Sequence, residues 1–205
     1  RETQFGYFKI ELSPDYKMIF KIKSHRMPFN YPTEYIELLN DKDEFIMSAF
    51  KIPGPTGTRF VIKDSRRQGG KYRGNTIAFM DGVKDLRSFF FYYEGEPSTI
   101  QVRYVGKKQF PQEPRLFTIK ASNGRCLKQE KPKFNGKQFT VNFGGRVKVA
   151  SIKNFILKDA RTQSNALLFG KVAPNSYITE IGHPLSITEG FALCCASLNN
   201  GSYQY

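Results

Sequence analysis

"PLSITEGFALCCASL", Pro184 to Leu198, is apolar on nearly every side and carries one charge, Glu189. Pro184 suits a first helical position, no proline interrupts Leu185–Leu198, and Asn199-Asn200-Gly201 supplies a stop, so the stretch reads as a helix. A helix without a polar face has to be buried all round. What buries it is legible in the rest of the chain. Short runs rich in β-branched and aromatic residues recur at 5–12, 17–23, 34–39, 44–51, 58–64, 75–80, 87–94, 99–105, 115–121, 137–143, 146–157, 165–172 and 176–181. Gly, Pro, Asn and Asp punctuate them, as between antiparallel strands. Phe139, Val141 and Phe143 alternate with Thr140 and Asn142, the pattern of a sheet with one wet face.

A sheet that closes on itself can surround a central helix and leaves no exposed strand edge. The expected fold is therefore mainly β: a closed antiparallel barrel of about twelve strands with the C-terminal hydrophobic helix through its centre. A helix plugging one open end of a sandwich is the alternative. The Pro/Gly stretches at 53–57, 94–97 and 131–137 are only of loop length, so residues 1–205 are expected to form a single domain.

Lysine and arginine number 32 against 18 acids, a formal charge of +14, which points to polyanionic partners, either nucleic acid or anionic lipid headgroups. The three cysteines, two of them adjacent at Cys194 and Cys195, suggest no disulfide framework. RETQFGYF lacks the basic-then-apolar order of a signal peptide, and no run approaches the roughly 20 apolar residues that cross a bilayer. The expected setting is intracellular.

Catalysis finds little support. His25 and His183 are the two near-neutral bases, and neither sits in a nucleophile or metal-ligand pattern. His183 reads as a packing residue before the helix, and Cys194 and Cys195 as small buried hydrophobes. Arg66, Arg67, Lys71 and Arg73 make the densest basic loop, either a general polyanion attractor or a solvated loop. No catalytic residue, metal site or cofactor is expected.

VNFGGRVKVASIKNF, residues 141–155, resembles the C-terminal domain of tubby-like proteins through Asn142, Phe143, Gly145, Arg146, Val147, Ala150, Ser151, Lys153, Asn154 and Phe155. LFGKVA at 168–173 and HPLSITEGFAL at 183–193 continue it, and GTRFVIKD at 57–64 resembles a family Gly-Thr-Lys-Phe segment. The resemblance implies a twelve-stranded barrel around a hydrophobic helix. It also implies binding of phosphoinositides, especially phosphatidylinositol 4,5-bisphosphate, through basic side chains on the outer face. A family Gly-Lys-Leu-Arg-Ser-Asn motif maps near SAFKIPGPTGTRF (48–60), with Lys51 on its arginine and Ala49 on its lysine. Lys84 and Arg87 lie near a further family arginine, and Glu34 near a family asparagine. Lys51, Lys84 and Arg87 are the phosphoinositide-binding candidates, sharing an altered site or marking a lost one. Arg146 and Lys153 read as packing residues.

The resemblance thus implies a monomeric membrane-tethering module or adaptor. Its partners would be phosphoinositide headgroups on the anionic inner leaflet and a protein cargo. It would be cytoplasmic and peripheral to the plasma membrane, with nucleus or cilium as further settings. A nucleic-acid-binding regulator is the less favoured alternative, since no reader helix or zinc finger is present. A protein-interaction barrel with a decayed lipid site is the other.

Overall fold

The structure is a computed structural model and describes residues 8–26, 34–68, 71–72, 74–83, 88–105, 116–137 and 139–199. Twelve antiparallel strands close a barrel. In chain order they are β1 (Lys17–Arg26), β2 (Glu34–Leu39), β3 (Phe45–Pro53), β4 (Gly57–Lys63), β7 (Thr76–Val83), β8 (Ser88–Tyr93), β9 (Ile100–Val105), β10 (Leu116–Ala121), β11 (Cys126–Gln129), β14 (Phe155–Asp159), β15 (Asn165–Ala173) and β16 (Ser176–Gly182). Two short ribbons lie outside the ring: β5 (Arg67–Gln68) with β6 (Lys71–Tyr72), and β12 (Lys133–Phe134) with β13 (Phe139–Thr140). Each barrel strand neighbours the next one in the chain, and β1 closes the ring on β16. The pairing leaves no barrel edge open to another chain.

The helix, Ile187–Leu198, runs through the middle as expected, with all its residues buried except Glu189. Inward rows supply its surroundings: Phe20 and Ile22, Ile36 and Leu38, Phe60 and Ile62, Phe89 and Phe91, Leu167 and Phe169 are all at most 1% exposed. Gly190 permits close approach to β16, since a Cβ there would lie 2.7 Å from Ile181 Cδ1. The helix begins later than Pro184. Ser186 is its N-cap: the hydroxyl accepts from Glu189 N (3.1 Å), and the Glu189 carboxylate accepts from Ser186 N (2.8 Å). This Ser-x-x-Glu box is a recognised start signal that composition alone hides. Tyr93 shares a 2.8 Å hydrogen bond with Ser186 Oγ, so the start of the helix is fixed to β8.

Three strand expectations need correction. Phe8 and Lys9, within 5–12, are helical, and no strand follows there. The 137–143 run pairs only at Phe139–Thr140, and the 146–157 run joins the barrel only from Phe155. Gly144 and Gly145 take positive φ, and Arg146 then reaches sideways to Glu180 while Val147 sits over Gly170. The chain is held against the barrel wall by these contacts instead of by a ladder. Conversely, β11 escaped notice although Asn123-Gly124, with Gly124 at φ 82°, is a hairpin signal ahead of it.

Candidate functional site

The register sorts the connections between strands to two ends of the barrel. Among the described residues, the end where the helix starts has 8–16, 40–44, 64–68, 71–72, 74–75, 94–99, 122–125, 160–164 and 183–186. By sequence these hold seven lysines and arginines and eight acids. The end where the helix stops has 54–56, 130–137, 139–154 and 174–175. They hold six lysines and arginines and one acid. The described connections of this second end thus carry a clear excess of positive charge, and it is called the basic end below.

Lys51 stands at this end, but not on the outer wall. It pairs with Glu34 on one side and Phe60 on the other, and Glu34 pairs with Arg26, so the three charges form one row across β1, β2 and β3. Strand alternation gives Lys51 the parity of Ala49 and Met47, both fully buried in the core. The outer-face location implied by the resemblance is therefore corrected: Lys51 occupies the last inward position of β3, at the barrel's rim. Burial pushes its ammonium pKa down, the nearby Glu34 pushes it up, and Arg26 pushes it down again. Glu34, 7% exposed, accepts from Ser24 Oγ at 3.2 Å.

The outward positions on either side of Lys51 are apolar. Phe50 packs with Tyr35 and Val61 in a buried cluster on the outer wall, flanked by Ile52 and Phe79. Beside it Arg59 is already engaged: Nε and Nη2 donate to Asp81 at 2.7 and 2.8 Å, and Nη2 also donates to the Tyr92 hydroxyl at 2.7 Å. Tyr92 in turn donates to Asp81, and burial with that bond pushes its hydroxyl pKa up to about 12. Lys84 and Arg87 lie outside the described residues. The strand ends that flank them, Val83 and Ser88, belong to the basic end, as Lys51 does.

The densest basic loop is not part of this end. Arg66 lies at the opposite end, 3.4 Å from Glu37 and with its guanidinium over the Phe45 ring, and Arg67–Gln68 pairs with Lys71–Tyr72; Arg73 is outside the described residues. Arg146 bonds Glu180 at 2.5 Å, and the Lys153 carbonyl accepts from Ser197 Oγ at 3.0 Å, which ties 130–154 to the helix. His25 stands 3.6 Å from Glu37, and His183 Nδ1 lies 3.0 Å from the Leu12 carbonyl, a packing contact. Cys194 and Cys195 are fully buried, and burial pushes the Cys194 thiol up to about 12. Among the described residues no cluster of His, Cys, Asp or Glu could hold a metal ion, and no helix is long and apolar enough to cross a membrane.

Sequence reasoning overlooked the 130–154 excursion as a charged element. From Lys131 to Asn154 it carries six cations and no acid, a signal visible to anyone counting charge by connection. Lys131, Lys133, Lys137 and Lys148 are all exposed.

The Tub family profile matches residues 100–200. Tubby-like F-box protein 6 of Oryza sativa subsp. japonica is 31% identical over 189 residues, 86% of this chain and 43% of that protein. Tubby-related protein 2 of Homo sapiens is 39% identical over 62 residues, 30% of this chain and 12% of that protein, and its Mus musculus counterpart is 36% identical over 83 residues, 38% of this chain and 15% of that protein. The chain thus matches less than half the length of each of these relatives. With the closed barrel and its buried helix already established, the chain belongs to the tubby family and contains a tubby domain.

Proposed function

We propose that this chain is a non-catalytic membrane-docking module whose basic end meets phosphoinositide headgroups on an anionic inner leaflet, phosphatidylinositol 4,5-bisphosphate foremost. The carrying observation is the charge asymmetry among the described connections: six cations against one acid at one end, and seven against eight at the other. Each lysine or arginine near such a leaflet contributes about 1 kcal/mol. A directed excess orients the barrel as well as attracting it.

Lys51, Lys84 and Arg87 are the proposed headgroup contacts. A doubly phosphorylated ring needs several donors converging from neighbouring strands, and β3, β4, β7 and β8 are successive neighbours in the ring. A phosphate beside Lys51 would replace the partial compensation that Glu34 gives and favour the charged ammonium. The plasma-membrane location, the monomeric state and a protein cargo belong to the same proposal.

The test is co-sedimentation with phosphatidylcholine vesicles carrying phosphatidylinositol 4,5-bisphosphate or the same total charge as phosphatidylserine. Preferential binding to the first, competed by soluble inositol phosphate, is expected. Equal binding to both would remove the headgroup-specific reading. Displacement by duplex DNA but not by inositol phosphate would transfer the basic end to nucleic acid.

A further inference from the structure

The excursion between β11 and β14 carries more than charge. It encloses a groove of about 720 Å³ whose apolar lining includes Phe134, Val141, Phe143, Val147, Val149 and Ile152. Two of these are far from buried: Ile152 is 73% exposed and Phe134 59% exposed. Ile152 shows the greatest exposure among the large hydrophobics described. Exposed apolar side chains grouped on one element mark an interaction surface more often than scattered ones do.

The surroundings of that surface select its partner. Lys131, Lys133, Lys137 and Lys148 are exposed on the same element, and Lys137 and Lys148 line the groove itself. None of the four forms an ion pair among the described residues, and Glu130, the one acid of 130–154, is 3.0 Å from Lys158. Exposed apolar side chains beside lysines match the boundary of an anionic bilayer, where acyl chains take the former and headgroups the latter. The excursion also belongs to the basic end. Its parent strands β11 and β14 lie across the ring from β3, with β14 five strand positions away from it.

We propose that the 130–154 excursion is a membrane-insertion element, with Phe134 and Ile152 entering the headgroup–acyl boundary of an anionic leaflet while the surrounding lysines hold its headgroups. This rests on the membrane-docking reading above and extends it to a second foot across the barrel rim from Lys51. The part of the element that carries Ile152 is fastened to the barrel: Arg146 bonds Glu180, and Asn154 donates to the Val149 carbonyl (2.9 Å) and accepts from Lys171 N (2.8 Å).

The chain contains no tryptophan, so a single one reports its own site. Ile152→Trp and Phe134→Trp are placed in the full chain and mixed with phosphatidylcholine–phosphatidylserine vesicles bearing brominated acyl chains, with and without phosphatidylinositol 4,5-bisphosphate. Ile10→Trp, 62% exposed near the helix start, is the control. Blue-shifted, bromine-quenched emission from positions 152 and 134 but not from 10 is expected. In the paired Phe134→Ser, Ile152→Ser variant, binding weakens about tenfold, the worth of partly burying two such side chains.

Sedimentation without any shift at 152 or 134 would overturn insertion while leaving membrane docking in place; the groove would then suit an acidic peptide better. Failure to sediment at all would overturn both. Quenching that is independent of phosphatidylinositol 4,5-bisphosphate supports insertion while removing headgroup specificity.

Discussion

The two ends of the barrel are made from the same kinds of strand and finished in opposite ways. At the helix start, polar groups are paired with one another: Ser186 with Glu189, Tyr93 with Ser186, Arg125 with Glu11 and the Pro184 carbonyl, Lys9 with Glu96. At the other end the described connections hold six cations and one acid, and Lys51 sits half-buried in a row it shares with Arg26 and Glu34. One end spends its polar chemistry on holding the helix. The other keeps an unbalanced charge that folding alone does not need, and such an excess is what a polyanion could neutralise.

The largest expected effect separates the ends directly. On the proposed docking, Lys51→Gln, Lys84→Gln and Arg87→Gln together should weaken vesicle binding about a hundredfold, at about 1 kcal/mol for each cation removed. Neutralising Arg66, Arg67 and Lys71 at the opposite end should change it far less. Equal losses in co-sedimentation would show that only total charge counts and would erase the distinction.

Ser186→Ala should act on the other end and on a different quantity. It removes the capping box and the partner of Tyr93, which should cost about 1–2 kcal/mol in urea unfolding. Binding per folded molecule should be unchanged. A loss of binding without a loss of stability would mean that the ends are coupled through the helix.

Glu34→Gln should have a smaller effect of opposite sign. Removing the acid that faces Lys51 takes repulsion away from an incoming phosphate and should tighten vesicle binding a few-fold, by about 1 kcal/mol or less. Without Glu34 the Lys51 pKa should fall further in the free protein, which an NMR titration of its side chain would read. An unchanged titration would place Lys51 outside this row's influence.

The smallest expectation concerns pH. Burial raises the Glu189 carboxyl pKa, against the opposing bonds from Ser186. The folded state therefore holds this proton more tightly than the unfolded state, whose carboxyl titrates near about 4.3. Its contribution makes stability rise as pH falls through the raised folded value, and level off below the unfolded one. Glu189→Gln retains an amide able to cap and should flatten this part of the pH profile, measured as its difference from the parent chain. A parallel pair of profiles would contradict the burial argument.

Much of the fold was readable along the chain because it depends on local pattern. Period-two alternation with Lys21 and Lys23 marks Phe20 and Ile22 as inward without knowledge of their neighbours. The unbroken apolar character of Phe191 to Ala196 leaves burial as the outcome for the helix. Arg146 was likewise read as a packing residue, and its bond to Glu180 supplies the packing. The exceptions are equally specific. The segment before Phe155 has strand-like composition, yet contacts with Glu180, Gly170 and Lys171, all distant in sequence, keep it out of the ladder.

The site was far less legible. A motif can assign Lys51 a correspondence, but whether its side chain faces core or solvent depends on strand parity, and a shift of one residue reverses it. Phe50 and Ile52, not Lys51, hold the outward positions here. The basic loop at 65–75, whose charges are adjacent in sequence, reads as a general polyanion attractor or a solvated loop, and Arg66 stands at the opposite end from Lys51. Lys51 and the cations of 131–153 lie far apart in the sequence and share one end of the barrel only because the ring closes.

Local periodicity and apolar character were enough to dictate strands and a buried central helix, since each is a property of a few consecutive residues. The sum of the charges was also written in the chain. Their division between the two ends and the inward turn of Lys51 were settled only by barrel closure, while the groove lined by Phe134 and Ile152 forms within 132–154. That closure fixes which strand ends share a rim, and electrostatic and apolar surfaces depend on distance through space, not on order along the backbone.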